Sequence, residues 1–590
     1  MKSIVLLIAV AMPALAQTTP QMKAPVQTRL EAQNRLITEQ WEYTLRTSPE
    51  FASILGDKRY NDRLGDYTPE AQARDLAATK DFLARFSAID SRGFGEQDRL
   101  NHDLMVRNLR EQVEGAAFRD WEMPITQFDG LHINLPQLVT SLSFESVKDY
   151  EDYIARLRQV PRVMSEVTTN MRKGMADGLI PPKILLVQVA SQSGSIAGQK
   201  AEDTPFAQPT TQFPATISAA DKTRLTGLVM TAIRDSVLPA YVKFTAFVRD
   251  EYAPKGRTEI GTSALPDGKA RYAFDVRRMT TTNMDFEAIH ALGLKEVARI
   301  EAEQTIIAKQ LGYANIKAFR DSIPKLAFLH PASRQAILDE YKTYIDQMTA
   351  KLPALFGRLP KAKLEILPIE PFREKEASTS YNQGAPDGSR PGHIFVNTYE
   401  FEKQLTINNE STAYHEGIPG HHMQISIAQE LPSLPPFRQQ AGYTAYVEGW
   451  ALYSERLGKE LGFYTDPYKN YGRLDDEMLR AIRLVVDTGI HGKHWTRDQV
   501  LDFFRAHSSI NEAGIQAEAD RYIALPGQAL SYKVGQLSIL RMRDAAKKKL
   551  GAKFDIRAFH DELLGAGALP IDVLEKRMSA WAALQAKQGA

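Results

Sequence analysis

The amino-acid sequence predicts a mainly α-helical protein with one small β-sheet. Apolar residues recur three and four positions apart, among good helix-forming residues, through most of the 590-residue chain. Two short runs, 364–369 and 393–398, have instead the length and composition of strands. With 43% hydrophobic residues, a chain of this length can bury a large core divided between two or more lobes.

The predicted helices share this three-and-four spacing, and segments rich in Pro, Gly, Ser or Thr separate them. They are 28–47, 68–90, 96–116, 147–175, 219–252, 284–311, 333–352, 402–430, 440–460, 472–490, 497–507, 528–550 and 571–587. Loops are predicted at 204–214, 254–268 and 360–363.

The predicted sheet lies directly before the helix with the most distinctive motif of the chain. Pro368 cannot donate a ladder hydrogen bond, so 364–369 is an edge strand at best. Residues 381–390, between the two strands, are rich in turn formers. Because an edge strand can hydrogen-bond an extended peptide, 391–398 is the strand expected to do so. A plain structural hairpin is the alternative.

The motif places three histidines and a glutamate within eight residues, from His415 to His422. In the usual zinc pattern, two histidines four residues apart share one helix face, and a glutamate beside the first acts as base. Here the next histidines are six and seven residues after His415. On an unbroken helix, His422 would lie about 10 Å further along the axis. That is too far for one zinc ion with bonds of about 2 Å.

Pro419 and Gly420 offer a solution, because both residue types interrupt or bulge a helix. If two residues loop out, His421 takes the place of the usual second ligand. A three-residue excursion would present His422 instead. We predict that His415 and His421 are metal ligands, and that His422 is the alternative ligand or a hydrogen-bond donor to substrate.

A third protein ligand is expected, because a catalytic zinc ion keeps three protein ligands and one open position for water. The helical segment 446–457 contains two glutamates. Glu448 follows a turn at 431–436 that lets a second helix pack beside the first, and it is the predicted third ligand. Glu455, two turns further on the same face, would orient a ligand histidine. Zinc follows from the ligand types, and manganese or cobalt could substitute.

Two runs resemble a known family: HEGIPGHHMQ at 415–424 and EGWALYSE at 448–455. They are similar to domain-of-unknown-function family 885, whose members are bacterial and often exported. Further similarity lies at 483–491 and 521–535, and weaker similarity extends through the N-terminal half. The resemblance implies a zinc metallopeptidase with a largely helical, gluzincin-like fold and a glutamate as third zinc ligand.

Amide hydrolysis by a metal-activated water requires a base and hydrogen-bond donors to the oxyanion. Glu416 is the predicted general base, taking a proton from the water and passing it to the leaving amine. Tyr532 and His491, with His422 third, are the predicted oxyanion donors. Asp487, one turn before His491, would hold the tautomer of that imidazole.

Three further side chains are predicted to bind substrate. Arg390 and Arg521 would hold a substrate carboxylate through bidentate hydrogen bonds, and structural ion pairs are the alternative. Asn397 lies in the strand that is expected to bind the peptide.

The N-terminus predicts export. Lys2 precedes an apolar run at 4–12, and small residues at 14–16 suit cleavage after Ala16, as in a secretory signal peptide. The apolar run is too short to span a bilayer. The chain has no cysteine, hence neither disulfides nor a lipid-attachment site. We therefore expect a soluble periplasmic or secreted protein without a membrane span.

The charges nearly cancel, with 73 basic and 72 acidic residues, which argues against a nucleic-acid partner. The expected organisation is a signal peptide at 1–16, a helical region at 17–360 that forms part of a deep cleft, and a metal-binding catalytic region at 361–590. The expected function is hydrolysis of short peptides with one Zn²⁺ per chain. A zinc amidohydrolase for a non-peptide amide and a non-catalytic, metal-dependent envelope binding protein are the alternatives. Oligomeric state and physiological substrate are not predicted.

Overall fold

The computed structural model describes residues 24–370, 374, 378–385, 388 and 390–587. The predicted signal peptide lies outside these residues. Within them the protein is mainly helical with a small three-stranded sheet, as predicted. No described helix has a stretch long and apolar enough to cross a membrane.

The helices before the sheet include the predicted ones and several short additions. They are α1 (Val26–Thr47), α2 (Pro49–Ile54), α3 (Pro69–Ser87), α4 (Glu96–Gly115), α5 (Leu131–Leu138), α6 (Val147–Leu157), α7 (Val160–Ala176), α8 (Lys183–Ala197), α9 (Ala219–Ala232), α10 (Leu238–Phe247), α11 (Gly268–Thr280), α12 (Phe286–Gln310), α13 (Ile316–Ser322) and α14 (Arg334–Lys351).

The strands and the remaining helices build the C-terminal part. They are β1 (Leu364–Pro368), β2 (Ser380–Asn382), β3 (Gly392–Val396), α15 (Asn409–Glu416), α16 (His421–Gln429), α17 (Pro436–Gln439), α18 (Thr444–Glu460), α19 (Pro467–Lys493), α20 (Arg497–His507), α21 (Glu512–Ala524), α22 (Leu530–Leu550), α23 (Ile556–Leu564) and α24 (Ile571–Lys587).

Most differences from the predicted helices have local causes. The predicted 147–175 helix divides into α6 and α7, because Pro161 stands in the first turn of the second helix, where its fixed φ suits a helix start. The predicted 219–252 helix continues from α9 into α10 through the π-helical segment Ile233–Val237. Helix α8 was missed, since its many Ser, Gly and Val residues are weak helix formers, yet it buries Leu185, Leu186 and Val189.

The sheet corrects one prediction. Its strand order is β1-β3-β2, with β3 parallel to β1 and antiparallel to β2. Both hydrogen-bonding sides of β3 are therefore used within the sheet. The prediction that 391–398 is a peptide-binding edge strand is wrong, whereas the alternative of a structural hairpin holds for the antiparallel pair β2 and β3. The edge position predicted for the strand with Pro368 is confirmed, and β2 occupies part of the predicted 381–390 loop.

The hydrophobic core around the C-terminal helices combines residues from distant parts of the chain. One cluster contains Leu104 of α4 and Tyr341 of α14 together with Tyr414, Trp450 and Ile539. The proposed domain boundary after residue 360 stays a prediction, but this cluster crosses it. This apolar cluster holds the helices α15, α18 and α22 against one another.

Candidate metal centre

The predicted helix 402–430 is interrupted at its histidine motif. His415 lies near the end of α15, and His421 is the first residue of α16. A Cβ on Gly420 would lie 2.0 Å from the His415 carbonyl oxygen, so only glycine allows this turn to pack against the end of α15. The indole Nε1 of Trp450 donates a 2.8 Å hydrogen bond to the Pro419 carbonyl oxygen. The hydrogen bond from Trp450 thus connects the turn to helix α18.

This turn brings two imidazoles together. The ring centres of His415 and His421 are 4.8 Å apart and their planes are nearly perpendicular, at 88°. The interruption therefore has the effect predicted for a short excursion, in which His421 rather than His422 faces His415.

Glu448 of α18 completes a cluster of three potential metal ligands. Its Oε2 lies 3.5 Å from His415 Nε2 and 3.4 Å from His421 Nε2. One nitrogen or oxygen from each of the three residues lies within 4.8 Å of the others, and the Glu448 Oε2 is buried without a hydrogen bond. In a tetrahedral zinc site with bonds of about 2.0–2.1 Å, neighbouring ligand atoms are separated by about 3.3 Å. The two measured separations fit such a site.

Glu455 forms a hydrogen bond with the ring nitrogen of His415 that faces away from Glu448, as predicted. Its Oε1 lies 2.7 Å from His415 Nδ1, and its side chain is almost completely buried. Since Glu455 accepts this hydrogen bond, Nδ1 carries a proton, and Nε2, which faces Glu448, is the ring nitrogen that a metal ion would bind. A metal-binding histidine is commonly oriented in this way by a carboxylate.

The pKa values reflect this concentration of charge. Burial alone would lower the pKa of His415, but the carboxylates of Glu448 and Glu455 outweigh it and raise that pKa to about 10. Burial alone would raise the pKa of Glu448, but the two imidazoles hold it well below its usual range. The pKa of Glu455 is raised, because burial outweighs the attraction of His415. A cation in this cluster would take over the neutralising role of the protons.

Glu416 and Tyr532 lie beside the three ligands. Glu416 follows His415 directly, and its half-buried carboxylate has no hydrogen-bond partner among the described residues. The Tyr532 ring stacks over the His415 ring at 6.5 Å with an interplanar angle of 17°. Both residues are thus direct neighbours of His415, one along the chain and one by ring stacking.

The approach of Tyr532 depends on a close helix crossing. A Cβ on Gly449 of α18 would lie 2.5 Å from the Gly535 Cα, and a Cβ on Gly535 of α22 would lie 1.9 Å from the Ala445 carbonyl oxygen. The two helix backbones touch at this point. Glu448 and Tyr532 each lie within one turn of the crossing, so it sets the distance between them.

Two predicted histidines do not join the cluster. The Nδ1 of His422 lies 3.1 Å from the Tyr381 hydroxyl, and its Nε2 lies 3.2 Å from the Ala362 carbonyl oxygen. Burial lowers its pKa to about 4. Both ring nitrogens of His422 are therefore used in contacts with residues in or beside the sheet. The prediction that His422 is an alternative ligand or an oxyanion donor is wrong.

His491 has a structural role as well. Its Nδ1 accepts from the Thr262 backbone N–H at 2.9 Å, and its Nε2 lies 2.9 Å from the Tyr522 carbonyl oxygen. Burial lowers its pKa to about 3. The predicted Asp487 contact is also replaced, because Asp487 accepts hydrogen bonds from the Tyr272 hydroxyl and the Gly527 N–H. His491 is therefore not available as an oxyanion donor.

Of the three predicted substrate-binding residues, Asn397 and Arg390 bond to nearby backbone groups, and only Arg521 lies near the cluster. The Asn397 amide donates to the Glu374 carbonyl oxygen and accepts from Tyr399 and Gln404, so it holds its own loop. Arg390 donates to the Gln383 carbonyl oxygen at 2.8 Å. Arg521, by contrast, donates to the Tyr532 hydroxyl at 3.2 Å and thereby lies one side chain away from His415.

Sequence reasoning missed the residues that support the cluster. Trp450 and the glycine pair Gly449 and Gly535 were not singled out, nor was Arg483, whose guanidinium lies 4.5 Å from the Tyr532 ring centre. The signal for the glycines was present, since a glycine inside a helical pattern usually has a packing reason.

The family model described as "Bacterial protein of unknown function (DUF885)" matches residues 49–578. A solved structure described as a "putative lipoprotein" from Colwellia psychrerythraea is 28% identical, with a TM-score of 0.89, and the match covers 94% of this chain and 99% of that one. A "putative lipoprotein of unknown function" from Shewanella oneidensis shares the fold at 18% identity, with a TM-score of 0.70 over 94% and 100% of the two chains. No curated protein matches the chain.

Proposed function

This chain belongs to the DUF885 family, and from its candidate metal centre we propose that it is a zinc-dependent peptidase. The observation that carries the proposal is the convergence of His415, His421 and Glu448 around one point, with Glu416 beside them. Two imidazoles and one carboxylate form the ligand set of zinc peptidases, whereas structural zinc sites are usually closed by four protein ligands. The cluster has three ligands within the described part of the chain, which leaves a position for water.

The side chains of this cluster fit the cation. The Glu448 Oε2 is a buried acceptor without a hydrogen bond, a costly arrangement that a metal ion relieves. Glu455 fixes the tautomer that turns the His415 Nε2 lone pair inward. When bound, zinc lowers the pKa of water and polarises a carbonyl group.

Glu416 and Tyr532 supply the remaining chemistry in the proposed reaction. Glu416, which has no hydrogen-bond partner among the described residues, takes a proton from the attacking water and delivers it to the leaving nitrogen. The Tyr532 hydroxyl accepts a hydrogen bond from Arg521, so its own proton is free to donate to the oxyanion.

We further propose a gluzincin-like arrangement in which helical lobes enclose a deep cleft that admits short peptides. The proposed place of action is the periplasm or the exterior of the cell. This proposal is supported by the signal-peptide pattern at residues 1–16 and by the lipoprotein description of the similar Colwellia psychrerythraea protein.

The Glu416→Gln variant tests this function. We expect it to retain one zinc ion per chain while hydrolysis of a short-peptide library falls by about 10²- to 10⁴-fold, the usual contribution of a general base. Glu575→Gln, an exposed glutamate paired with Arg541, is the matched control and should retain full activity. Chelator should abolish the wild-type activity, and added zinc should restore it.

Three results would contradict the proposal. Full activity of Glu416→Gln would exclude this residue as base. A wild-type protein that binds zinc but cleaves only non-peptide amides would be an amidohydrolase with the same centre. A protein that takes up no zinc would remove the metal site itself.

A further inference from the structure

Tyr532 lies among three arginines, two of which have acidic partners. The guanidinium of Arg483 is 4.5 Å from the Tyr532 ring centre and forms a 3.2 Å ion pair with Glu518. The guanidinium of Arg480 is 5.9 Å from the same ring centre and forms a 3.2 Å ion pair with Asp476. The charges of these two arginines are therefore neutralised within the protein.

Arg521 is different. Its Nη2 donates to the Tyr532 hydroxyl and to the Gln528 Oε1, both at 3.2 Å and both uncharged. Its Nε is buried and has no acceptor. No carboxylate of the described residues lies within 4 Å of its guanidinium. The neighbouring Glu518 carboxylate already accepts hydrogen bonds from Arg483 and Tyr522.

A half-buried guanidinium with only neutral acceptors is an incomplete site for an anion. Guanidinium groups bind carboxylates through two parallel charge-assisted hydrogen bonds, which are about twice as strong as neutral ones. A ligand can reach this group from solvent, because the Arg521 side chain is only partly buried. A carboxylate brought by a ligand would complete the hydrogen bonding of Arg521.

The position of Arg521 relates this carboxylate to the candidate metal centre. Arg521 contacts the Tyr532 hydroxyl, and the Tyr532 ring stacks on His415. One tyrosine side chain thus separates the anion site from a predicted zinc ligand. An extended peptide advances about 3.3–3.6 Å per residue, so a carboxylate at Arg521 would lie a few residues or fewer from the bond at the metal centre.

We propose that Arg521 binds the C-terminal carboxylate of the substrate, so that the protein removes residues from the C-terminus of peptides. This inference rests on the proposed peptidase function. The reaction is plain hydrolysis: water adds its oxygen to the carbonyl carbon, the C–N bond breaks, and the leaving nitrogen takes the proton that Glu416 carries. No further reactant is required.

Peptides that differ only in their C-terminal group test the proposal. The wild-type protein should cleave a free-acid peptide with a kcat/KM at least tenfold higher than its C-terminal amide. Arg521→Gln should bring the ratio of kcat/KM for the acid over the amide down to about one, because it removes a hydrogen bond to the charged group that only the acid carries. The lost hydrogen bond to Tyr532 lowers kcat/KM for both peptides alike and does not change this ratio. Arg521→Lys, which keeps the charge but loses the fork, should fall in between. Arg505→Gln, an exposed arginine paired with Glu512, is the matched control.

A binding measurement separates this inference from the proposed function. In the Glu416→Gln background, calorimetry with an acetylated dipeptide should show tighter binding of the acid than of the amide, and Arg521→Gln should remove the difference. This acid-selective binding without any wild-type peptide cleavage would overturn the peptidase but keep the carboxylate site. Equal cleavage of acid and amide would overturn the carboxylate site but keep the peptidase. If binding instead depends on a Glu side chain of the peptide and is lost when that Glu is replaced by Gln, Arg521 binds a side-chain carboxylate. That result would overturn the assignment of Arg521 to the C-terminal carboxylate.

Discussion

The sharpest test of the candidate metal centre is a change that leaves its three ligands untouched. Glu455→Gln replaces a carboxylate by an amide of the same shape. The Gln oxygen can still accept the hydrogen bond from His415 Nδ1, which measures 2.7 Å in the wild type. The substitution therefore removes negative charge behind the imidazole while it keeps the orientation of the ring.

The expected magnitude follows from this contact. Glu455 is 2% exposed, so solvent does not screen its charge. Its carboxylate also contributes to the raised pKa of His415, which means that it increases the basicity of that imidazole. Outer-shell carboxylates of this kind change metal affinity by about 10- to 100-fold, which corresponds to about 1.4–2.8 kcal/mol.

The assay is competition for zinc between the protein and a chromophoric chelator of known affinity at pH 7.5. Glu460→Gln provides a control on the same helix, because Glu460 pairs with Arg543 away from the three ligands. We expect the zinc affinity of Glu455→Gln to fall by the stated factor and that of Glu460→Gln to stay unchanged. An unchanged zinc affinity in a folded Glu455→Gln protein would refute the orientation of His415 described above.

Two further predictions concern stability. Gly535→Ala would place a methyl group 1.9 Å from the Ala445 carbonyl oxygen, so denaturant unfolding should show a loss of about 1–3 kcal/mol or more, whereas Gly442→Ala, with open space around it, should change little. Burial raises the pKa of Asp487 to about 7 from the usual 3.8. Between these two pH values the folded state keeps a proton that the unfolded state loses. The Asp487 carboxyl therefore lowers the stability of the wild type as the pH rises from about 4 to 7. The free energy of unfolding of Asp487→Asn relative to wild type should therefore rise by about 4 kcal/mol over that range and level off above it, and a difference independent of pH would contradict a buried, protonated carboxyl.

The sequence predicted the mainly helical fold and the position of the sheet because those features depend on local patterns. The strand order depends on long-range pairing instead. Nothing in the composition of β3 distinguishes a central strand from an edge strand when both are short and apolar. Pro368 did carry such information for β1, since a missing N–H excludes a central position.

Residue type predicted the cluster of candidate ligands better than it predicted the hydrogen-bond donors around it. The meeting of His415, His421 and Glu448 was predicted because zinc restricts both the ligand types and their spacing, and their binding of zinc stays a prediction. His491 and His422 carry the imidazole group that an oxyanion donor requires, but both of their ring nitrogens already contact other groups of the protein. The partners are backbone groups and a tyrosine hydroxyl of distant segments, and such contacts have no sequence signature.

The interrupted motif makes the candidate metal centre depend on tertiary packing more than a single-helix motif does. In the usual pattern one helix alone fixes the separation of the two histidines. Here His415 and His421 stand on different helices, and the turn between them is held by the Trp450 hydrogen bond to the Pro419 carbonyl oxygen. The helix that provides Trp450 also provides Glu448 and Glu455. Helix α18 therefore positions the turn, the candidate ligand Glu448 and the Glu455 carboxylate that contacts His415, so a displacement of α18 would alter all three together.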